Sequence, residues 1–154
     1  MPDSFVFPYG ITLKENGVID TVPVAEVGFK NKEGEWLSLF LVIDSGATIS
    51  ALPKSDALVF GIDADKGKRM TISGIGGKKL IGWQHQITVR MGKEILKLPL
   101  VFLEGDIVPR VLGRAGIFEK FLLVFEEKER RAAFIGAGQK EASIIHKILN
   151  KIKV

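Results

Sequence analysis

The chain has 154 residues, 46% of them hydrophobic, so a single domain can bury an ordinary core without a metal ion or disulfide bonds. It contains no cysteine, which excludes a disulfide framework and thiolate chemistry and leads us to expect a reducing, cytoplasmic setting. The formal net charge is +4 at pH 7, but most lysines and arginines are interspersed with acidic residues and are not interleaved with aromatic ones, so we expect no nucleic-acid partner.

No part of the sequence predicts a membrane segment. The first residues lack a basic region followed by a continuous apolar stretch, and every apolar run is much shorter than the about 20 residues needed to span a bilayer. We therefore expect neither secretion nor a membrane partner.

The pattern of apolar residues predicts a mainly β fold. In residues 21–29, two pairs of alternating apolar residues differ in phase by one position, which indicates a strand with a bulge near Ala25. Residues 39–43 form a continuous apolar run, which is typical of a strand buried on both faces. The predicted strands cover 21–29, 36–43, 49–52, 70–73, 79–83, 86–91, 94–102, 111–112, 122–125 and 132–135, and the predicted short helices cover 54–60 and 115–121.

The last segment predicts an amphipathic helix. Its apolar residues recur at helical spacing with lysines between them; they are Ile144, Ile145, Ile148, Leu149 and Ile152. This stripe would either pack on its own domain or contact a second subunit, and the pattern leaves both readings open. We assign residues 1–138 to the main domain and residues 139–154 to the C-terminal helix.

Asp44 is the main catalytic candidate, because a carboxylate at the end of an apolar strand needs a hydrogen-bonded structural role or a functional one. The next residues favour a function: Ser45 offers a hydroxyl, Gly46 permits close approaches, and Ala47 keeps the turn compact. If two such turns faced each other, their carboxylates would share one proton, so that one acts as base and the other as acid on a water molecule. This chemistry requires no metal and no cofactor.

Three segments of the chain carry a resemblance to a known family. They are Ile43-Asp44-Ser45-Gly46-Ala47-Thr48 followed by Ser50-Ala51-Leu52-Pro53, the glycine-rich Gly74-Ile75-Gly76-Gly77, and Val111-Leu112-Gly113-Arg114 before a short helix. In content, order and spacing, they resemble the retropepsin-like aspartic peptidases, close to the bacterial and archaeal relatives of the retroviral proteases. The resemblance covers about residues 22–135, and it implies an all-β acid protease barrel with short helices, extended here by the C-terminal helix.

The resemblance also implies roles for individual residues. Asp44 would be the catalytic aspartate, supported by the rest of its turn, with Ser45 forming a hydrogen-bonded grip across a dimer and Gly46 contacting substrate backbone. The predicted flap tip comprises Gly74, Ile75, Gly76 and Gly77. The predicted second-half loop, a pseudosymmetric partner of the catalytic turn, comprises Leu112, Gly113 and Arg114. The expected substrate is a peptide or an unfolded protein segment.

The number of such motifs in the chain predicts a homodimer. Asp44 alone is followed by Ser-Gly or Thr-Gly; the other aspartates are Asp3, Asp20, Asp56, Asp63, Asp65 and Asp106. A two-fold dimer that brings Asp44 against its mate is therefore the economical way to assemble two catalytic carboxylates.

The sequence departs from the viral pattern after the catalytic turn. Thr48 and Ile49 stand where viral enzymes usually carry acids, so Arg114 lacks its expected partner. The chain is also longer at both ends, and the C-terminal helix is a candidate replacement for the terminal strands that join viral subunits.

The sequence lacks the motifs of dinucleotide-binding proteins, metal sites and serine hydrolases. Lys79 stands where a dinucleotide fingerprint requires its third glycine, and neither His85 nor His146 has metal-ligand spacing. Ser73 lacks the Gly-x-Ser-x-Gly elbow of a serine hydrolase. Two alternatives stay open: a catalytically silent peptide-binding or regulatory module with the same fold, and a structural assembly subunit.

Overall fold

The computed structural model describes residues 2–74 and 76–152. Within them the chain forms twelve strands, two α-helices and one 3₁₀ turn. The strands are β1 (Phe5–Pro8), β2 (Gly10–Leu13), β3 (Ile19–Val22), β4 (Val24–Lys30), β5 (Trp36–Ile43), β6 (Ser50–Pro53), β7 (Lys68–Ser73), β8 (Lys79–Met91), β9 (Glu94–Leu103), β10 (Val111–Leu112), β11 (Phe121–Glu126) and β12 (Arg131–Gly136). The helices are α1 (Lys54–Val59) and α2 (Lys140–Leu149), and the 3₁₀ turn is Ala64–Lys66.

Six strands close into a barrel. The seven-stranded sheet has the order β4-β5-β10-β6-β9-β8-β7, and β4 also pairs with β8, so that only β7 lies outside the closed ring. The first half of the long strand β8 pairs with β7, and its second half pairs with β4 through Gly28 and Phe29. A three-stranded sheet of order β1-β12-β11 and a separate β2–β3 hairpin complete the structure. The mainly β prediction is confirmed.

A continuous apolar core fills the barrel and the space beneath the three-stranded sheet. Its largest fully buried aromatic side chains are Phe29, Phe102, Phe121 and Phe134. Phe60, at the end of α1, stacks on Phe29 with ring centroids 4.8 Å apart, so the helix closes one side of the core. Burial of each such side chain contributes about 1.5–3 kcal/mol.

The predicted bulge near Ala25 is wrong. Pro23 has no backbone N–H to donate and separates β3 from β4. From Val24 to Lys30, β4 pairs with β5 without an extra residue, and Glu26 alone among residues 24–29 is exposed.

The prediction that β5 is buried on both faces is also wrong. Leu41 is fully buried, whereas Phe40, on the opposite face, is 64% exposed. The strand lies in the barrel wall, where its inner face packs on the core and its outer face is open at Phe40. A continuous apolar run therefore did not indicate burial on both sides.

Two predicted features in the second half of the chain differ from the structure: a pair of separate strands and a short helix. Residues 79–83 and 86–91 form one strand, β8, because β9 pairs with it continuously from Gly82 to Met91. Residues 115–120 form consecutive turns instead of a helix. Gly116 has φ +81°, which interrupts helical geometry, and it lies against Leu98 and Pro99 of β9.

The C-terminal helix is present as α2, and most of its apolar stripe is uncovered. Ala142 is its one buried residue, whereas Ile144, Ile148 and Leu149 are about half exposed. Ile152 lies beyond the end of the helix. Packing on its own domain thus accounts for only part of the stripe, and the domain division at residue 138 stays a prediction. In the described residues, no helix is long and apolar enough to cross a membrane.

Candidate active site

Strand order brings the Asp44 turn and residues 111–114 together. Strand β10 lies between β5 and β6, parallel to β5 through the pairs Val111–Val42 and Leu112–Ile43, and antiparallel to β6. The chain that joins β5 to β6, residues 44–49, must therefore cross the end of β10. This crossing places the turn directly beside the loop that leaves β10.

Three hydrogen bonds hold the Asp44 turn. The backbone N–H of Asp44 donates to the carbonyl of Leu112 at 3.0 Å, which fixes the residue to β10. The N–H of Gly46 donates to Asp44 Oδ1 at 2.9 Å, and the N–H of Ala47 donates to the Asp44 carbonyl at 3.2 Å. Asp44, Ser45 and Gly46 are all exposed. The turn therefore presents an oriented carboxylate to solvent from a fixed backbone.

The loop after β10 donates two more backbone hydrogen bonds to the turn. The N–H of Arg114 donates to the carbonyl of Ala47 at 3.0 Å, and the N–H of Ala115 donates to that of Thr48 at 2.9 Å. The Arg114 side chain makes only a 3.4 Å contact with the Thr48 hydroxyl. Within residues 2–74 and 76–152 it has no acidic partner. The departure from the viral pattern at Thr48 is thus visible in the geometry.

Gly113 and Ser50 are buried beneath this junction. Ser50 is fully buried, and its hydroxyl accepts a 3.0 Å hydrogen bond from the Gly113 N–H. A Cβ atom on Gly113 would lie 2.5 Å from the carbonyl oxygen of Ile49, too close for any side chain. Glycine at position 113 therefore permits the close approach of the two segments.

The predicted flap is a hairpin loop between β7 and β8. The last strand pair is Ser73–Lys79, and the N–H of Gly74 donates to the carbonyl of Lys78 at 3.0 Å. Gly76 and Gly77 have φ +85° and +75°, values that side chains disfavour. Ile75, which was also assigned to the flap tip, lies outside the described residues. The structure thus brings the Asp44 turn and residues 112–114 into contact and sets the flap glycines on a separate hairpin.

An ion pair that the sequence patterns did not predict anchors β10. Arg110, immediately before this strand, donates to both carboxylate oxygens of Asp56 in α1, at 2.8 and 2.9 Å. The Asp56 hydrogen bond and charge raise the pKa of the Arg110 guanidinium, despite partial burial. The Arg110 carbonyl accepts the N–H of Val42 in β5 at 2.9 Å. The pair therefore connects α1 to the two strands that position Asp44.

Ser50 lies within the predicted catalytic segment, but its hydrogen bond with Gly113 was not predicted. Two acidic residues, Asp44 and Asp56, thus have different positions: the first is exposed at the turn, and the second is buried against Arg110. In the described residues, no three His, Cys, Asp or Glu side chains are grouped so that they could hold a metal ion.

Comparisons with known proteins agree with this geometry. The sequence profile of the family described as aspartyl protease matches residues 37–115, half of the chain. A retropepsin-like aspartic protease from Rickettsia conorii superposes with a TM-score of 0.59 at 19% identity, over 86% of this chain and 99% of its own. The EIAV protease, solved with the inhibitor HBY-793, gives a TM-score of 0.45 at 21% identity, over 60% of this chain and 82% of its own. No curated protein sequence matches significantly. The predicted fold is confirmed, and the chain belongs to the aspartyl protease family with a retropepsin-like fold.

Proposed function

We propose that the chain is an aspartic endopeptidase that hydrolyses peptide bonds with a water molecule held between two Asp44 carboxylates of a homodimer. The observation that carries the proposal is the Asp44 turn itself. Its backbone is fixed to Leu112, its Oδ1 accepts the Gly46 N–H, and its carboxylate is exposed. Asp56, which has a structural role in α1, is instead buried against Arg110.

The homodimer follows from the number of motifs. Each chain has one Asp-Ser-Gly turn, so a second carboxylate of the same kind must come from a second chain. Ser45 is exposed beside Asp44, and we expect its hydroxyl to hydrogen-bond across such a dimer. Two carboxylates that face each other at short distance repel when both are ionised, so they would share one proton.

The shared proton allows hydrolysis without a covalent intermediate. The ionised Asp44 accepts a proton from water while the water oxygen attacks the peptide carbonyl carbon, and the protonated Asp44 donates its proton to the carbonyl oxygen. In the second step the amide nitrogen accepts a proton from the carboxyl that gained one, and the C–N bond breaks. The diol oxygen returns its proton to the other carboxyl, so the pair regains its starting state.

The proposed substrate is an extended segment of a peptide or an unfolded protein. The β7–β8 hairpin is a suitable flap, because β7 is an edge strand of the described sheet and Gly76 and Gly77 form a turn at its tip with the positive φ angles that glycine allows. An edge strand can add an extended peptide by backbone hydrogen bonds, which read length and shape more than side-chain identity.

The test is cleavage of a diverse peptide library between about pH 4 and pH 7, where a shared-proton pair works. Asp44→Asn should abolish cleavage and leave the dimer intact, whereas the control Asp63→Asn, an exposed aspartate beside the 3₁₀ turn, should cleave like the wild type. Cleavage by Asp44→Asn would exclude the two-carboxylate mechanism. Silence of all three proteins would favour the peptide-binding module instead.

A further inference from the structure

The β2–β3 hairpin, residues 10–22, is here called the N-terminal arm, and it leaves the domain at the same end of β5 as Asp44. Pro23 directly follows the arm, and its carbonyl accepts the N–H of Ile43 at 3.0 Å. Strand β4 runs antiparallel to β5 from the pair Val24–Val42 onwards. The chain before Pro23 therefore continues past the carboxyl end of β5, where Asp44 lies.

One face of the arm is apolar and uncovered. The pairs Leu13–Ile19 and Ile11–Thr21 place Ile11, Leu13 and Ile19 on the same face. These side chains are 76%, 75% and 69% exposed. The other face carries the Lys14–Asp20 ion pair at 2.7 Å and turns polar groups to solvent. One face of the arm is thus apolar, and the described residues leave it uncovered.

Only the base of the arm is attached to the rest of the chain. The N–H of Tyr9 donates to the Arg130 carbonyl at 2.8 Å, and the Arg130 side chain donates to the Thr21 hydroxyl. In the described part of the chain, β2 and β3 pair only with each other. An isolated two-stranded hairpin is marginally stable in water, and three large apolar side chains left in solvent add nothing to its stability. Such an arm gains stability when its apolar face is covered.

We propose that a second copy of this chain covers the apolar face of the N-terminal arm. This inference rests on the proposed function, because the single Asp44 per chain requires a second copy to approach the Asp44 end of the domain. The arm leaves the domain at that same end, where the Pro23 carbonyl accepts the N–H of Ile43, so a second copy that meets Asp44 also approaches the arm. The two-fold axis then gives two reciprocal arm contacts, one from each subunit.

The first experiment measures solution mass by sedimentation equilibrium over a range of protein concentrations. The variant is the triple substitution Ile11→Thr, Leu13→Thr and Ile19→Thr, which places a β-branched residue at each position and reduces the apolar surface. The control is Ile95→Thr in β9, a residue 55% exposed in another part of the barrel. We expect the triple variant to raise the dimer dissociation constant at least about tenfold and the control to leave it unchanged.

A second measurement reads the arm directly and does not depend on how well the triple variant folds. Because the chain has no cysteine, Leu13→Cys and Ile95→Cys each introduce a single reporter thiol. We expect alkylation of Cys at position 13 to slow as protein concentration rises into the dimeric range, and alkylation at position 95 to stay constant. The proposal would be overturned if the alkylation rate of Cys at position 13 were the same at low and at high protein concentration. An unchanged dimer dissociation constant for the triple variant would also overturn it.

Both measurements are independent of catalysis. If the triple variant dissociates more readily than the wild type and the wild type cleaves no peptide, the arm contact is supported and the proposed function fails. An active dimer whose triple variant keeps its mass and only raises KM would assign the arm to substrate binding and overturn the subunit contact. A wild-type chain that is monomeric at every concentration would overturn it as well.

Discussion

The N–H of Gly113 donates a 3.0 Å hydrogen bond to the hydroxyl of Ser50, and both residues are buried. This bond connects β6, the strand after the Asp44 turn, to the loop after β10. Asp44 is thus held from two directions: its own N–H donates to Leu112, and the segments on either side of the crossing are joined beneath it. The position of the exposed carboxylate depends on buried groups that never meet a substrate.

Ser50→Ala should lower the free energy of unfolding by about 1–3 kcal/mol, because it leaves the buried Gly113 N–H without an acceptor. Chemical denaturation monitored by tryptophan fluorescence would measure the change. Ser38→Ala on β5 is the control, since Ser38 is exposed and should change stability little. Equal stabilities for the two variants would mean that another group or a water satisfies the Gly113 N–H.

Gly113→Ala should destabilise the protein by a steric effect of about 3 kcal/mol. Its Cβ would lie 2.5 Å from the Ile49 carbonyl oxygen and 2.9 Å from the Ile49 nitrogen, and these backbone atoms cannot move without displacing the start of β6. The control is Gly74→Ala, where the nearest atom to a Cβ, the Lys78 carbonyl oxygen, is 3.9 Å away. Thermal melting should separate the two clearly. A melting temperature of Gly113→Ala equal to that of the control would contradict the close approach.

The Asp56–Arg110 pair should respond unequally to loss of its two members. The Asp56 side chain is 10% exposed and that of Arg110 is 44% exposed, so Arg110→Ala leaves a buried charge, whereas Asp56→Ala leaves a charge that can turn to solvent. We expect Arg110→Ala to cost about 2 kcal/mol and Asp56→Ala about half of that. The double variant should be no less stable than Arg110→Ala.

The exposed pair Lys54–Asp65 serves as control for this cycle. The distance from Lys54 Nζ to Asp65 Oδ1 is 2.8 Å, as short as in the Asp56–Arg110 pair. The Asp65 carboxylate is largely in solvent, so Asp65→Ala should change the free energy of unfolding little. Urea denaturation of the wild type and the four variants gives the comparison. Additive losses for Asp56→Ala and Arg110→Ala would show that the two side chains contribute separately.

Local signals were enough to predict the catalytic segment and most strands. The apolar run ending at Asp44 and the turn residues after it are adjacent in sequence, and the hydrogen bonds of Gly46 and Ala47 to Asp44 are equally local. The Asp56–Arg110 pair could not be predicted in the same way, because its partners are 54 residues apart. Their meeting depends on β10 entering between β5 and β6, which apolar periodicity does not encode.

Strand β1 and the helix predicted at residues 115–121 differ from the prediction for different physical reasons. Strand β1 was not predicted although Phe5, Val6 and Phe7 are residue types with high β propensity; Val6 is exposed between two partly buried phenylalanines, an alternation that only the structure shows. The helix expected at 115–121 failed for a tertiary reason, since Gly116 adopts φ +81° where the loop packs on Leu98. Nothing in the local sequence specifies that contact.

Gly77→Ala should lower kcat/KM several-fold and change the melting temperature little. Gly77 has φ +75°, which costs a residue with a side chain about 1–2 kcal/mol, and the hairpin tip can relax into solvent instead of unfolding. The expected defect is therefore in the shape of the flap. Lys78→Ala, one residue along the same loop, is the control for loss of a side chain. Unchanged peptide hydrolysis by Gly77→Ala would separate this hairpin from substrate binding.

Glu119→Gln should destabilise the protein at neutral pH but not in acid. The Gly116 N–H donates to Glu119 Oε1 at 3.1 Å. This bond is the largest cause, and a bond from the Glu119 N–H the second largest, that holds the pKa of the Glu119 carboxyl below its ordinary value of 4.5. Because the folded state favours the ionised form, its contribution to stability is present above pH 4.5 and is lost as the pH falls through the lower folded value.

Melting temperatures across this range, at one protein concentration, test the sign. The gap between wild type and Glu119→Gln should be widest near neutrality and close at acid pH; Glu33→Gln, in the exposed β4–β5 turn, is the control for loss of one negative charge from the surface. A gap for Glu119→Gln that persists in acid would assign the effect to packing of the loop instead of to the carboxylate charge. This loop follows the Arg114 N–H bond to Ala47, so its loosening in acid would also reach the Asp44 turn.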